Sequence, residues 1–323
     1  VSLPTRRSRV RAPLPAPKVV KNHNLITNLF QKYIDNKDIR KFKGKILYYL
    51  FYRFSRLFFN RPLKIKIHSL NLYADNKRNK TSHSLIQKCD FFDVSEINVL
   101  KKLNNFYKLH LIDCGSNFGF YSFFVASLSE ENEIIAIEAS SNTLSEFKKN
   151  LSINDFRNIK FLNKAVSDID NKKIQFNVSE KDWESSLVSN KFDIKEKNEV
   201  ESISIDRILE GKNLENKLLV LKIDVEGADF NVLEGAKTAI KKYKPFIIIE
   251  FSKYIFNNDK FNYQYLSDFL EYQNYQIFNK DGEKHSVNEI LILLKKLDKA
   301  HETIGNYYLI SKNRDKLLKK IFN

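Results

Sequence analysis

The feature that most constrains the fold is a glycine turn that joins an apolar run to an amphipathic segment. Residues 109–112 form the apolar run, and residues 113–119 then read DCGSNFG before a helical pattern begins. Gly115 and Gly119 allow the backbone to turn tightly and to approach a ligand, and the free N–H groups of the next helix face that ligand. Strand, glycine turn and helix in this order are typical of nucleotide-binding α/β sheets. The sequence therefore predicts a cofactor site at Asp113, Gly115, Ser116, Asn117 and Gly119.

The spacing of this turn differs from that of dinucleotide-binding proteins. Their fingerprint is G-x-G-x-x-G, whereas this chain has one glycine fewer and an acid, Asp113, at the strand end. An acid suits a ligand with a positive or hydrogen-bond-donating group, and S-adenosylmethionine carries a sulfonium and an ammonium. Glu138 ends the next apolar run, about 20 residues beyond the turn, where a carboxylate can bind two ribose hydroxyls. We expect Glu138 to bind the ribose, and a solvated strand-end carboxylate is the alternative.

A third segment places acids at the ends of two further strands. Residues 218–235 form an apolar strand, a charged cluster that includes Asp224 and Glu226, and a helix with an apolar face. The next strand has the sequence PFIIIEF and contains Glu250. Ligands of such sheets bind at the carboxyl ends of the strands, so these three acids are the candidates for a general base or for substrate orientation. The alternative is a structural cluster in which the acids pair with Lys222 and backbone donors.

The third segment resembles the FkbM family of S-adenosylmethionine-dependent methyltransferases. The family pattern is K-x-D-x-E-G-x-E-x-x-V-L-x-G followed by an I-I-x-E strand, and this chain departs from it once, with Asp229 in place of Glu. The resemblance covers roughly residues 85–312. It includes the stretches N-K-A-V-S-D (163–168), W-E-S-S-L (183–187) and I-D-R-I-L (205–209). It implies methyl transfer from S-adenosylmethionine, with Asp168 at the cofactor, to a hydroxyl of a polyketide, sugar, glycan or glycolipid.

Strand and helix patterns alternate from Leu109 onward, which predicts an α/β fold. The predicted core strands are 109–114, 133–138, 159–163, 218–224, 245–251, 275–279 and 306–311. Helices are predicted at 118–129, 141–152, 228–242 and 261–273, with an inserted strand pair at 172–177 and 200–205. The resemblance implies a doubly wound, seven-stranded class I methyltransferase (Rossmann-like) sheet that ends in an antiparallel hairpin. No spacing rule fixes the strand order.

The predicted organisation of the chain has four parts. Residues 1–20 hold four of the six prolines and no acid, which indicates a disordered, targeting-like or non-native segment. Residues 21–105 form an N-terminal extension of helices and short strands, 106–312 the S-adenosylmethionine-binding domain, and 313–323 a basic tail. The two cysteines offer no disulfide framework, and a cytoplasmic location is expected.

The net charge of +16 raises the question of a polyanionic partner. The basic residues are dispersed rather than confined to one stripe, so nucleic acid is not the expected partner. Residues 40–60 combine basic residues with an apolar and aromatic run. This run is too short to span a bilayer. One interpretation is a helix in a membrane interface, which would make the protein peripheral to the membrane. The other is a helix packed on the catalytic domain or on a second copy in a homo-oligomer.

Several other chemical interpretations are open. Asp224 and Glu226 could hold Mg²⁺, although two carboxylates without a third ligand are a weak metal pattern. His83, His110 and His285 are alternative bases, with His110 expected in the core. An RNA ribose methyltransferase is the alternative function, supported only by charge. A cofactor-fold binding protein without turnover is a further alternative, and the joint presence of acids at all of these strand ends argues against it.

Overall fold

The computed structural model describes residues 63–67, 69–74, 93–179, 194–253, 262–298 and 302–322. The proposed leader at 1–20, the aromatic segment at 40–60, His83 and the loop at 183–187 lie outside the described residues. Within the described part of the chain, no helix is long and apolar enough to cross a bilayer.

The strands and helices alternate along the chain as the sequence predicts. The strands are β1 (Leu63–Ile67), β2 (Leu70–Ala74), β3 (Lys108–Cys114), β4 (Glu133–Ile137), β5 (Ile159–Leu162), β6 (Ala165–Val166), β7 (Lys173–Ser179), β8 (Ile194–Ile203), β9 (Lys217–Ile223), β10 (Phe246–Ser252), β11 (Tyr275–Phe278), β12 (Lys284–His285) and β13 (Thr303–Ser311). The helices are α1 (Val94–Asn104), α2 (Phe120–Leu128), α3 (Ser141–Ser152), α4 (Ile205–Ile208), α5 (Asp229–Glu234), α6 (Lys237–Tyr243), α7 (Tyr263–Gln273), α8 (Val287–Lys295) and α9 (Asp315–Phe322).

One large mixed sheet organises the domain, with the strand order β12-β11-β13-β10-β9-β3-β4-β5. The strands from β10 through β5 run parallel, and β13 and β11 close the other side as an antiparallel pair. The α/β fold with a Rossmann-like methyltransferase sheet is therefore confirmed. The seven predicted core strands are all present, and the two-residue strand β12 adds an eighth. The inserted strand pair is also present as β7 and β8, which form a small sheet with β6.

Helices cover both faces of the large sheet, which explains why its central strands are apolar nearly throughout. On β9 and β10, alternate residues enter two different cores. Val220 and Ile248 pack toward α1, α2 and α9, whereas Leu221 and Ile249 pack toward α5, α6, α7 and α8. This alternation follows from the two-residue period of a strand. It also decides on which side each polar residue at a strand end lies.

The predicted helix at 228–242 is divided into α5 and α6. The Asp206 carboxylate accepts hydrogen bonds from Thr238 N (3.0 Å) and Ala239 N (2.8 Å), and so caps the first turn of α6. A side chain cannot be added at Gly235, where a Cβ would lie 2.2 Å from the Ser167 carbonyl oxygen. The chain therefore starts a new helix at this contact.

The two ends of the described region both pack against the domain that is built on the large sheet. The hairpin β1–β2 is joined to α3, because Asn71 N donates to Asn154 Oδ1 (2.9 Å) and Tyr73 N donates to Asn150 Oδ1 (2.7 Å). The residues expected as a basic tail form α9, whose Leu317 is 2% exposed. The helix packs on α1, and Lys102 Nζ donates to the carbonyl oxygen of Ile321 (2.6 Å).

Candidate functional site

The polar strand-end residues gather on one face of the sheet at its carboxyl edge. Asp113, Lys222 and Glu250 continue the alternating set of buried residues that faces α1 and α2. Asp113 on β3 pairs in register with Lys222 on β9. Glu250 lies on β10, the next strand, and Glu138 follows β4 on the other side of β3. The topology thus brings the acids of the three sequence segments to one edge.

The glycine turn lies directly against the end of β9. Gly115 has a φ of +76°, and a Cβ at this position would lie 2.0 Å from the Asp224 carbonyl oxygen. Asp224 N in turn donates to the Cys114 carbonyl oxygen (3.1 Å). The sequence analysis assigned Gly115 to close approach of a ligand, and the structure shows that its nearest neighbour is the β9 backbone. The glycine is needed because two chain segments cross here.

Gly119 starts helix α2 from a left-handed conformation with φ +95°. A Cβ at Gly119 would lie 2.4 Å from the ring of Phe123 and 2.7 Å from the ring of Phe147. No side chain of the turn caps the helix. The cap comes instead from β3, because the Asp113 carboxylate accepts from Ser122 N (3.1 Å) and Ser122 Oγ (2.6 Å).

Asp113 is therefore committed to holding α2 in place. It is 2% exposed. Burial raises the pKa of Asp113 to about 6, while the Ser122 hydrogen bonds and nearby Lys222 act in the opposite direction. The structure thus places Asp113 below the predicted cofactor turn, as the support of that turn.

Glu138 fixes the other side of the turn and keeps capacity for a ligand. One carboxylate oxygen accepts from Asn117 N (2.9 Å) and the other accepts from Ser140 N (2.9 Å). Burial raises the pKa of Glu138, and these backbone hydrogen bonds lower it. The N–H group of Ala139 also faces this carboxylate, and since a carboxylate has about four lone-pair sites, capacity remains for a ribose hydroxyl.

The hydroxyl of Ser116 supports the assignment of a ligand to this turn. Ser116 is 5% exposed, and its Oγ has no hydrogen-bond partner among the described residues. Buried polar atoms are normally paired, so this hydroxyl is a group that a ligand can satisfy. Together with Glu138, it makes the turn fit a cofactor with a ribose and an amino-acid moiety such as S-adenosylmethionine.

Asp168 is tied to the helices on the other face of the sheet. It follows β6, and its carboxylate accepts from Asn231 Nδ2 of α5 (3.0 Å) and from Ser167 Oγ (3.1 Å). These contacts connect the loop after β6 to the helix that follows the charged cluster. A role for Asp168 at the cofactor stays a prediction.

Lys222 and Asp224 form an ion pair at the end of β9. Lys222 Nζ lies 3.0 Å from the Asp224 carboxylate, and the Asp224 side chain is 39% exposed. Lys222 is buried, which lowers its pKa, but the charges of Asp224, Glu250 and Asp93 outweigh burial and raise the pKa of Lys222 overall. Its ammonium also lies 5.2 Å from the ring centroid of Tyr121. A buried cation thus holds Asp224 in one position.

Glu250 is the acid whose protonation is most strongly altered. Burial raises the pKa of Glu250 to about 8, and the charges of Asp224, Glu226 and Asp229 add to this, while Lys222 opposes it. Its register partner across β10 and β13 is Asn306, next to a bulge between Glu250 and Ser252. Glu250 is therefore a carboxyl group that exchanges its proton near neutral pH.

Glu226 lies in the strained loop that connects β9 to α5. Glu226 and Gly227 both adopt left-handed conformations, with φ of 54° and 101°. Asp229 closes this loop, because its carboxylate accepts from Val225 N (3.2 Å) and Gly227 N (3.0 Å). The Asp in place of the family's usual Glu thus serves as a backbone cap, and the loop presents Glu226 near Glu250.

The structure adds site residues that the sequence analysis missed. Tyr121 donates from its hydroxyl to the Asp93 carboxylate (2.6 Å), and the charges of Asp93 and Glu96 both interact with Lys222. Asp93 immediately precedes α1, and acids are common at helix starts. That pattern alone could not indicate that this helix start lies over the site.

Two histidines considered as bases lie elsewhere. His110 is 1% exposed, and its Nδ1 lies 3.0 Å from Glu133, its register partner at the start of β4 and so at the amino edge of the sheet. Burial lowers the pKa of His110. His285 packs edge-on against Tyr307, whose side chain belongs to the core on the opposite face from Glu250. The prediction that His110 is a core residue is confirmed.

The described residues give no support to a metal role. Among them, no group of three or more His, Cys, Asp and Glu side chains is arranged to hold a metal ion. The acids at the end of β9 are instead engaged with Lys222 and backbone N–H groups.

Comparison with protein families matches residues 113–277, just over half of the 323-residue chain, to the Methyltransferase FkbM domain. No curated protein sequence matches the chain. Among solved structures, an FkbM methyltransferase from Methylobacillus flagellatus KT is 18% identical, with a TM-score of 0.37, and the match covers 62% of this chain and 43% of that one. The chain thus spans less than half of that protein.

Two further solved structures are similar in the same range. A precorrin-6y C5,15-methyltransferase from Geobacter metallireducens GS-15 is 14% identical with a TM-score of 0.38, over 76% of this chain and 97% of that one. A SAM-dependent methyltransferase from Aquifex aeolicus is 13% identical with a TM-score of 0.33, over 70% of this chain and 97% of that one.

Proposed function

Because this chain belongs to the FkbM methyltransferase family, we propose that it methylates a hydroxyl group of a sugar, glycan or glycolipid with S-adenosylmethionine as the donor. When bound, that cofactor supplies an electrophilic methyl group on a sulfonium. The chain itself must hold the cofactor, orient the acceptor hydroxyl and remove its proton.

The observation that carries this proposal is the state of Glu250. A hydroxyl is a poor nucleophile until its proton is taken up, and a carboxylate with an ordinary pKa is a weak base for that purpose. Burial and neighbouring acids raise the pKa of Glu250 to about 8, which is near the optimum for a general base at neutral to mildly alkaline pH. Asp224 is less suited, since Lys222 occupies its carboxylate. Glu226 is placed to orient the acceptor.

The cofactor would be held by the glycine turn. Glu138 offers the lone pairs for the ribose hydroxyls, and Ser116 offers its unpartnered hydroxyl. Asp113 and Gly115 act indirectly, the first by capping α2 and the second by letting β3 and β9 come together.

The charge around Glu250 favours a glycan over RNA as the acceptor. Asp93, Glu96, Asp224 and Glu226 surround the buried Lys222 and Glu250, and an RNA would bring its phosphates toward these acids. Membrane association through residues 40–60, self-association and a cytoplasmic location stay predictions.

The test is a transfer assay with S-adenosylmethionine that carries a ¹³C methyl group. We expect the label to appear as an O-methyl ether on an oligosaccharide or glycolipid acceptor, identified by the chemical shift of the methyl carbon and by mass spectrometry. RNA transcripts and amine-bearing peptides serve as parallel acceptors. Label found only on RNA, or only on nitrogen or carbon, would contradict the proposal.

A further inference from the structure

A second group of polar atoms lies beside Glu250 and has no assigned role. Asn306 is the register partner of Glu250 on β13. Its neighbour Gly305 has no atom of the described residues within 4 Å of a Cβ built on it. Because successive strand residues face opposite sides, the Asn306 side chain lies on the same face of the sheet as Glu250, and Gly305 leaves the opposite face uncovered.

The orientation of the Asn306 amide follows from its contact with α1. Its side chain donates a hydrogen bond to the Glu96 carboxylate, and only the Nδ2 end of an amide can donate. The Oδ1 end must then point away from Glu96. Oδ1 is buried and has no hydrogen-bond partner among the described residues. Since Oδ1 only accepts, the missing partner is a donor, an O–H or an N–H group.

Two neighbours flank the unpartnered Oδ1 atom, and one of them, Tyr308, adds a second buried atom without a partner among the described residues. Glu96, in the first turn of α1, is 6% exposed, and burial raises its pKa despite the hydrogen bond from Asn306. Tyr308 follows Asn306 on the same face of β13, is 0% exposed, and its hydroxyl has no partner in the described part of the chain. Burial raises the pKa of Tyr308, and Glu96 and Asp93 raise it further. Such groups are costly to bury unless something pairs with them.

We propose that Asn306, Glu96 and Tyr308 form an acceptor subsite that binds a hydroxyl of a neutral polyol next to the hydroxyl that is methylated. This proposal rests on the proposed function. The feature that the subsite recognises is a pair of neighbouring hydroxyls on one acceptor molecule. The donor O–H of the acceptor satisfies Asn306 Oδ1 while the adjacent hydroxyl lies at Glu250.

The local charge selects an uncharged acceptor over an anionic one. Asp93, Glu96, Asp224 and Glu250 lie around the single lysine Lys222 at this part of the described structure. A phosphorylated or carboxylated sugar would add a like charge against these acids, and like charges at short range oppose binding. A polyol carries many donors and no charge.

The test uses methyl glucoside as a neutral polyol probe, added to the full chain saturated with S-adenosylhomocysteine. We expect the backbone amide signals of Gly305 and Asn306 to shift with millimolar affinity in ¹⁵N NMR spectra. Asn306→Leu should weaken probe binding about tenfold, the usual cost of a lost hydrogen bond to a buried group. Asn313→Leu, the same change just beyond the other end of β13, should leave the affinity unchanged.

Tyr308→Phe is a second variant that tests the subsite even if Asn306→Leu misfolds. It removes a hydroxyl that has no partner among the described residues, so the fold should stay intact while the probe affinity falls about threefold or more. No shift at Gly305 and Asn306 in the wild type, equal binding of glucose 6-phosphate, or unchanged affinity in Tyr308→Phe and Asn306→Leu would overturn the subsite.

The failure of this proposal can be told from failure of the proposed function. Probe binding without any O-methyl product in the ¹³C assay would contradict O-methylation and leave the subsite standing. An O-methyl product whose rate is unaffected by Asn306→Leu would contradict the subsite and leave the function standing.

Discussion

The two halves of the candidate site treat their acids differently. Around β3 and β4, the Asp113 carboxylate accepts hydrogen bonds from Ser122 of α2, and the Glu138 carboxylate accepts from the N–H groups of Asn117 in the turn and Ser140 just before α3. Around β9, β10 and β13, acids crowd about the buried Lys222, and Glu250 has a pKa of about 8. Asn306 and Tyr308 each keep a buried polar atom there that has no partner in the described part of the chain.

This difference distinguishes carboxylates that are suited to binding a ligand from a carboxylate that is suited to transferring a proton. Hydrogen bonds to backbone N–H groups fix a carboxylate and favour its charged form, which is suited to binding a ligand in one pose. A carboxylate that is crowded by other acids keeps its proton to higher pH, which is suited to proton transfer. This comparison supports our proposal that the first half holds the cofactor and that the second carries out the acceptor chemistry.

The largest effect should come from Glu250→Gln. This change keeps the shape of the side chain but removes the proton acceptor, so turnover should fall by about 10² to 10⁴-fold while cofactor affinity changes by less than about twofold. Asp224→Asn is the matched control on the neighbouring strand, and its loss should be smaller, about tenfold. The measurements are the rate of methyl transfer and calorimetric titration with S-adenosylmethionine. A larger loss in Asp224→Asn would move the base to Asp224.

The pH dependence sharpens the same comparison. Because the pKa of Glu250 is raised to about 8 from an ordinary 4.5, the wild-type rate should rise with pH and level off above about 8. The folded state binds this proton more tightly than the unfolded state, so the free energy of unfolding should fall as pH rises between these two values. Glu250→Gln lacks this dependence and should be more stable than the wild type at pH 9 by about 1 kcal/mol or more.

The next effect tests the contact that joins the two halves. Gly115→Ala places a Cβ where the Asp224 carbonyl oxygen lies 2.0 Å away, in a backbone conformation with φ +76°. We expect a loss of about 3 kcal/mol in the free energy of unfolding and weaker cofactor binding, since β3 and β9 must separate. Gly211→Ala is the control, because its φ is +69° with no atom of the described residues within 4 Å. It should cost about 1 kcal/mol, from backbone strain alone. The losses are measured by thermal and urea unfolding. Equal losses in Gly115→Ala and Gly211→Ala would contradict a role for the contact with Asp224.

The sequence predicted the strands and the position of Glu138 beside the glycine turn because both depend on local order. The apolar runs, the glycine turn and an acid at the end of the next strand are all read along the chain, and β3, β4, β9 and β10 match the predicted strands closely. Glu138 fits the expectation of a carboxylate beside the turn. Its contact with Asn117 arises within one β-α-β unit, between the turn after β3 and the end of β4.

The acceptor half was less predictable because it is built across the sheet. Asn306 meets Glu250 only through the register of the antiparallel strand β13, and Asp93 and Glu96 meet Lys222 only because α1 crosses the carboxyl edge. No spacing along the chain encodes these contacts. The same limit explains Gly115, whose need for a glycine is set by the carbonyl of a residue more than a hundred positions later.

The smallest effect concerns the cofactor half, through Glu138→Ala. The variant loses the acceptor for ribose hydroxyls and for the backbone N–H groups of Asn117 and Ser140. We expect S-adenosylmethionine to bind more weakly by about 1 to 3 kcal/mol in calorimetry. Glu131→Ala, which removes a carboxylate that is 66% exposed just before β4, should leave the affinity unchanged.

A cofactor analogue separates the two parts of the Glu138 effect. S-adenosylhomocysteine without its ribose hydroxyls should bind the wild type more weakly, because the lone pairs of Glu138 then have no partner. In Glu138→Ala the same loss of hydroxyls should have little effect, which would give a coupling energy between Glu138 and the ribose. If removal of the ribose hydroxyls weakens binding equally in the wild type and in Glu138→Ala, Glu138 does not contact the ribose. Its carboxylate would then only shape the turn, and the first half of the site would contain a structural carboxylate and not a ligand-binding one.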